Sequence, residues 1–335
     1  MKVDAILHGD LADAAAAARR VEELGYDGAI CAEIAHDPFL PLTLAATATE
    51  RISLTTGIAV AFARNPMTVA VTASDIHRLS RGRFVLGLGS QIKPHITKRF
   101  SMPWSSPAAR MREFILAVRA VWASWGDGTP LQFRGEFYRH TLMTPMFDQG
   151  PSEFGFPPIF LAAVGPGMTT VAGEVADGLM AHGFTTADYF RDVTLAHLQR
   201  GLDAAGRTRA DVQVTVPLFM VTGRDDAEID ARMRTARQQL AFYGSTPAYR
   251  PVLDHHGWGE LGDELNRLSK QGEWQQMGDV IDREVMEAFA IIGPPDAIAG
   301  EIERRFGGVI DRVQIGLNDS DPEGTAALVE ALRRA

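Results

Sequence analysis

The 335-residue chain contains one cysteine, Cys31. A single thiol excludes an intramolecular disulfide and a thiolate-rich metal site, and such scarcity fits a reducing compartment. Basic residues are in deficit: 33 Lys and Arg stand against 42 Asp and Glu, a formal net charge of −9. That is the wrong sign for a protein whose affinity must come from neutralising phosphates, so nucleic acid is not expected as a partner. No apolar run reaches the roughly 18 residues that a spanning helix requires. The apolar stretch after Met1-Lys2-Val3-Asp4 stops at Asp10, too short for a signal sequence. A cytoplasmic protein without membrane contact is expected. P-loop, Gly-x-Ser-x-Gly and His-Glu-x-x-His motifs are missing, which lowers the weight of hydrolases and metalloproteases. His255-His256 has no carboxylate or further histidine at helical ligand spacing, so no metal is expected.

What is present suffices for a large core, with 46% apolar and 22% charged residues. The length suits two average domains or one α/β barrel with insertions. Short β-branched or apolar runs alternate with Ala-rich amphipathic segments, the pattern of repeated β-α units and a parallel sheet. Strands are predicted at 3–7, 29–32, 52–61, 84–89, 159–164, 178–181, 212–221 and 312–317. Helices are predicted between them. The first, 11–24, has Asp10 placed to cap it, and the third begins near Pro66, where a first-turn proline is tolerated. In the helix predicted over 107–125, Met111, Ile115, Val118 and Trp122 share one face. Eight such units favour a closed (β/α)8 TIM barrel, a single domain over 1–335, interrupted by insertions at about 128–158 and 244–278.

In a barrel of this kind the site lies at the carboxyl ends of the strands. The residues there include His8, Glu33 to Asp37, Gly57 to Asn65, Ser90-Gln91, Val164 to Gly167, His182 and Asn318-Asp319. Gly165-Pro166-Gly167 opens a helix with unencumbered N–H groups, which suits a phosphate or is simply a turn. Gly87-Leu88-Gly89 lacks the third glycine of a dinucleotide fingerprint and reads as room for a flat ligand or a packed helix. Glu33 follows a buried strand, so it either caps the next segment or meets a polar ligand. His36 and Asp37 form either an acid/base dyad or a helix cap with a bystander. His182 ends a strand and is a better candidate than His197, mid-helix. Cys31 reads as a small buried hydrophobe. Phe100, Trp104 and Trp258 read as core packing rather than pocket walls.

The segment Ala32-Glu33-Ile34-Ala35-His36-Asp37-Pro38-Phe39 resembles that of the luciferase-like superfamily of (β/α)8 flavin and deazaflavin enzymes, in particular its coenzyme F-420-dependent oxidoreductases. Further matches are Thr56-Gly57-Ile58, Ala61-Phe62-Ala63-Arg64-Asn65-Pro66, Ser80 to Gln91, Leu161 to Gly165 and Gly173 to Gly178. The order of these motifs over nearly the whole chain is more specific than any one of them. The resemblance implies a tricyclic ring held near the strand ends over a non-proline cis peptide, by position Gly57-Ile58. It implies that Glu33, Ser90 and Gln91 contact the ring or its side chain, and that Ala163, Val164, Gly165, Pro166 and Gly167 meet the ring edge and phosphate.

The implied chemistry is hydride transfer between the deazaflavin and a small organic substrate, with Glu33, His36 and His182 as candidate catalytic residues. The resemblance also implies a homodimer through the second and third helices. Sugar-phosphate and alcohol dehydrogenases of the superfamily carry an Asp-His pair after strand two and a glutamate after strand four. Here those positions hold Glu33, Ile34 and Ile92. Alcohol oxidation is therefore disfavoured against reduction of an activated double bond, with His36 or His182 as proton donor. Two alternatives stand beside this reading. One is an FMN-dependent two-component monooxygenase supplied by a separate flavin reductase, and the other is a noncatalytic coenzyme-binding barrel.

Overall fold

Eight of the predicted runs form strands, and two of them break. The computed structural model describes residues 1–223, 225–316 and 321–334. The strands are β1 (Lys2–Leu7), β2 (Gly28–Cys31), β3 (Ser53–Thr56), β4 (Ala59–Val60), β5 (Phe84–Gly89), β6 (Phe133–Arg134), β7 (Arg139–His140), β8 (Ile159–Ala163), β9 (Gly178–Ala181), β10 (Gln213–Pro217), β11 (Phe219–Thr222), β12 (Ala290–Gly293) and β13 (Arg312–Ile315). One sheet runs β3-β2-β1-β13-β10-β9-β8-β5-β4 and closes by pairing β3 with β5. Since β3 and β4 are halves of one barrel strand, the fold is a closed (β/α)8 barrel. Its registers are parallel, with Ala5 opposite Ala29, Ala29 opposite Leu54 and Leu54 opposite Phe84. Such strands are buried on both faces, hence the continuous apolar runs in the sequence.

The helices are α1 (Ala14–Glu23), α2 (Phe39–Ala48), α3 (Pro66–Leu79), α4 (Pro107–Asp127), α5 (Pro166–Val175), α6 (Ala187–Tyr189), α7 (Leu195–Ala204), α8 (Asp226–Gly244), α9 (Arg250–His255), α10 (Gly259–Gln271), α11 (Trp274–Asp279), α12 (Arg283–Phe289), α13 (Pro295–Phe306) and α14 (Pro322–Arg334). Asp10 does not cap α1: its side chain makes no cap bond, and a short 3-10 turn over Leu11–Asp13 intervenes. Asn65 does cap α3, accepting the Met67 N–H at 2.8 Å, with Pro66 at the first helical position.

The chain divides into two compact units. The larger comprises Asp4–Met180 and His197–Val214. In it the expected face of α4, Met111, Ile115, Val118 and Trp122, is buried, each side chain contributing about 1.5–3 kcal/mol of apolar burial. Trp122 stacks on Phe156 at 5.6 Å and donates its indole N–H to the Ala70 carbonyl at 3.1 Å. The first insertion holds a hairpin, β6 against β7. The carboxylate of Glu113 on α4 clasps it, accepting the backbone N–H groups of Glu136, Phe137 and Tyr138 at 2.8, 2.7 and 2.6 Å.

The smaller unit comprises Met1–Val3, Ala181–Ala196 and Thr215–Ala335. The run predicted as one strand over 212–221 breaks at Leu218, and β11 leaves the barrel sheet to pair in parallel with β12, a strand the sequence reading missed. The second insertion is helical, α9 to α11, around a core of Leu240, Leu253, Leu265, Met277 and Phe289. The predicted end of the eighth strand at Leu317 and the candidate pair Asn318-Asp319 lie outside the described residues.

Candidate active site

The third barrel strand kinks between Thr56 and Ala59, and the Gly57-Ile58 peptide is cis, at the position the resemblance implied. The kink is held from both sides. The Gly57 N–H donates to the Cys31 carbonyl at 2.7 Å, and the Glu33 N–H donates to the Ile58 carbonyl at 3.2 Å. On the β5 side, the Thr56 hydroxyl donates to the Gly87 carbonyl at 2.7 Å and accepts the Gly87 N–H at 2.8 Å. A Cβ on Gly87 would lie 1.8 Å from the Thr56 carbonyl oxygen, and one on Gly89 would lie 2.8 Å from Ile58. The glycine pair therefore makes room for the neighbouring kinked strand, not for a helix.

Glu33 is engaged by protein. Its Oε2 accepts the Val60 N–H at 2.8 Å and pairs with Arg64 at 2.5 Å. Arg64 also donates to Asp37 at 2.8 Å and lies over the Phe39 ring at 5.4 Å. Asp37 in turn accepts the Phe39 N–H at 2.8 Å, so it fills the capping role and forms no dyad with His36. His36 is exposed and has no hydrogen bond among the described residues. Arg64 sits in a motif quoted above, yet it was not singled out: its partners lie 27 and 31 residues away in sequence. Cys31 is buried and its thiol is pushed up to about 11, chiefly by burial, consistent with a small hydrophobe.

The Ser90-Gln91 turn follows β5 with Gln91 at φ +57°, a left-handed conformation that non-glycine residues adopt at some cost and that concentrates at binding sites. The Ser90 hydroxyl donates to the Gln91 carbonyl at 3.1 Å, and the Gln91 side chain accepts the Ile92 N–H at 3.0 Å. Past β8, Ala163 is buried, Val164, Pro166 and Gly167 are exposed, and Gly165 stands as the N-cap of α5 without a side-chain cap. A Cβ on Gly165 would meet nothing within 4 Å. Packing does not demand glycine there, and the first-turn N–H groups of α5 receive no side-chain cap. Glu33, Ile58, Gln91 and Gly165 all belong to the larger unit.

His182 belongs to the smaller unit, immediately past β9. Burial lowers its pKa to about 4, so the imidazole is neutral at pH 7. Its ring stacks on Tyr249 at 4.5 Å and meets the edge of Tyr243 at 4.9 Å. Neither tyrosine was legible as a site residue, because both arrive from the end of α8 and the turn after it. Among the other aromatics considered, Trp104 packs edge-on against Phe62 at 5.7 Å and Trp258 against the helical core. His256 bonds the Thr186 hydroxyl at 2.7 Å, and His255 lies 3.4 Å from Asp192. No helix among the described residues is long and apolar enough to cross a membrane.

Residues 3–312 match the profile of a family described as luciferase-like monooxygenase. An uncharacterised protein of Mycobacterium tuberculosis is 54% identical over 313 residues, covering 93% of this chain and 92% of its own. The 5,10-methylenetetrahydromethanopterin reductase of Archaeoglobus fulgidus is 28% identical, covering 78% of this chain and 75% of its own. Among solved structures, the coenzyme F-420-dependent tetrahydromethanopterin reductase of Methanopyrus kandleri superposes with a TM-score of 0.81 at 21% identity, covering 100% and 98% of the two chains. The oxygenating constituent of 3,6-diketocamphane monooxygenase from Pseudomonas putida, in complex with FMN, gives 0.70 at 17% identity over 99% and 96%.

Proposed function

The chain belongs to the luciferase-like monooxygenase family and is an oxidoreductase, and from that premise we propose that its coenzyme is the deazaflavin F-420, bound along the kinked third strand. The observation that carries this reading is Gly165. It caps α5 with open space where a side chain would stand, which is the space a phosphate needs against the free N–H groups of a helix. Ile58 would support the ring, and the Glu33–Arg64 bridge holds the loop after β2 to the turn before α3. Ser90 and Gln91 would contact the ring or its side chain, and Ala163 to Gly167 would hold its edge and phosphate. The bound coenzyme supplies or accepts a hydride, while these residues orient it against a small organic substrate. Similarity to a protein of Mycobacterium tuberculosis described as a putative coenzyme F420-dependent oxidoreductase, 27% identical over 83% of this chain, supports the deazaflavin over FMN.

The luciferase-like description of the family favours a second reading, in which reduced FMN from a separate reductase activates oxygen. Titration with oxidised and reduced F-420 and with FMN separates the two. Tight binding of F-420 with weak FMN binding is expected. Tight FMN binding with oxygen-dependent product formation would overturn the proposal. We also propose a homodimer through α2, which is apolar all round and exposes Leu40 and Leu44 one turn apart.

A further inference from the structure

The hydrogen bonds of the turn after β5 fix which of its polar atoms stay open. The Gln91 side chain accepts the Ile92 main-chain N–H at 3.0 Å, and an amide nitrogen cannot accept, so the amide oxygen is the engaged atom. Its NH2 group has no acceptor among the described residues. The Ser90 hydroxyl gives its one hydrogen to the Gln91 carbonyl at 3.1 Å, which leaves its oxygen able only to accept. Two adjacent residues thus offer a fixed pair, an acceptor at Ser90 and a donor at Gln91. We propose that this pair reads the imide edge of the coenzyme ring, the run of C=O, N–H and C=O on its pyrimidinedione part. Ser90 accepts the imide N–H, and the Gln91 NH2 donates to a flanking carbonyl. This rests on the ring-binding reading above and adds to it the edge that the turn recognises and the direction of each bond.

The surroundings support that role. Gly89, the last residue of β5, stands opposite Val60 of β4, and Leu88 before it stands opposite Leu161 of β8. Ser90 therefore leaves the barrel between the kinked strand and the strand that leads to Ala163, at the end where this fold places its chemistry. A Cβ on Gly89 would lie 2.8 Å from the side chain of Ile58, so the residue before Ser90 packs directly against the cis peptide's isoleucine. Ser90 and Gln91 are half-buried. The segment that follows is anchored twice: buried Ile96 donates its N–H to the Ile92 carbonyl at 3.2 Å, and Arg99 donates to the Ile34 carbonyl at 2.6 Å. Gln91 is held between these fixed parts at φ +57°, a conformation that carries a cost glycine would avoid. The chain accepts that cost where the amide is engaged at one atom and open at the other.

The pair selects by polarity. An edge that presents N–H beside C=O satisfies both groups. An edge methylated at the imide nitrogen sets a methyl against the Ser90 oxygen, and a glutamate in place of Gln91 would set a carboxylate against a carbonyl. In a half-buried turn either mismatch leaves polar groups stripped of water without a partner. Oxidised and reduced deazaflavins carry the same imide edge, so the recognition is the same before and after hydride transfer. Flavins carry it as well, so the pair selects the pyrimidinedione and does not by itself choose between the two coenzymes.

The probes are 5-deazariboflavin and its N3-methyl derivative, which lack a phosphate and so bind independently of the end of α5. In fluorescence titrations the wild-type protein is expected to bind the parent about tenfold more tightly than the methyl derivative, a comparison that needs no variant. In Ser90→Ala the parent is expected to weaken to the level of the methyl derivative, and Gln91→Glu is expected to weaken both by about tenfold, each with unchanged circular dichroism. With a nitrogen-15-labelled probe, the imide proton resonance is expected to move downfield on binding to wild type and to stay near its free position with Ser90→Ala. Riboflavin and 3-methylriboflavin repeat the titrations on the ring of FMN. Equal wild-type affinity for parent and methyl derivative, discrimination that survives Ser90→Ala, unchanged affinity in Gln91→Glu, or failure of both ring types to bind would overturn the proposal. Discrimination between the riboflavins with no binding of the deazaflavins would uphold the reading of the edge and strike the choice of F-420 alone.

Discussion

Arg64 and Glu33, 31 positions apart in the chain, meet at 2.5 Å with only 18% and 8% of their side-chain surfaces exposed. The bridge ties the loop after β2 to the turn before α3, and the Val60 N–H joins it. Removing the cation alone leaves a nearly buried carboxylate uncompensated. Arg64→Met is expected to cost about 3 kcal/mol in chemical denaturation and to weaken F-420 binding. Glu33→Gln is expected to cost about 1 kcal/mol, since Arg64 keeps Asp37. Equal losses in the two variants would show that the bridge is not asymmetric in this way.

Two glycines give opposite expectations. Gly87→Ala puts a methyl 1.8 Å from the Thr56 carbonyl oxygen, a backbone atom that has no room to retreat. The expected loss is about 3 kcal/mol by urea unfolding. Gly165→Ala meets open space at an ordinary negative φ, so its unfolding midpoint is expected to stay unchanged while F-420 affinity falls. Undiminished affinity in that variant would remove the phosphate from the end of α5.

His182 makes stability depend on pH. Its pKa is about 4 in the fold against 6.5 as the ordinary value, so between those limits the unfolded chain binds a proton that the folded chain refuses. Stability is therefore fully present above pH 6.5 and declines as pH falls toward 4. In His182→Asn, thermal melts across that window should show a shallower decline. It will not vanish, because burial lowers His77 and His140 in the same direction.

The proposed dimer rests on Leu40 and Leu44. Replacing both with Asp is expected to convert a dimer into a monomer in sedimentation velocity without changing the far-ultraviolet circular dichroism. A dimer that survives the double substitution would place the interface elsewhere.

The barrel was legible because short apolar or β-branched runs alternate with helical segments, of which α4 keeps a clear apolar stripe. Phe84–Gly89 emerges with the predicted bounds, and the face of α4 is buried as read. What escaped depends on partners distant in sequence. Arg64 carries no local sign that it will bridge Glu33 and Asp37. Tyr249 acquires meaning only because the helices of the second insertion bring it against a histidine 67 residues earlier. The break at Leu218 was hidden because both halves of the run are equally β-prone, and only pairing with the unrecognised β12 separates them.

Glu113 grips the hairpin of the first insertion by three consecutive main-chain amides and asks nothing of the side chains it holds. That part of the attachment is indifferent to the side chains of Glu136 and Phe137, whereas Tyr138 is held by its ring as well, edge-on to Phe114 at 5.5 Å and with its hydroxyl accepting from Arg110 at 2.9 Å. Evolution, or a designer, can rewrite the outward face of that arm to suit a different guest while its anchorage to the scaffold stays intact.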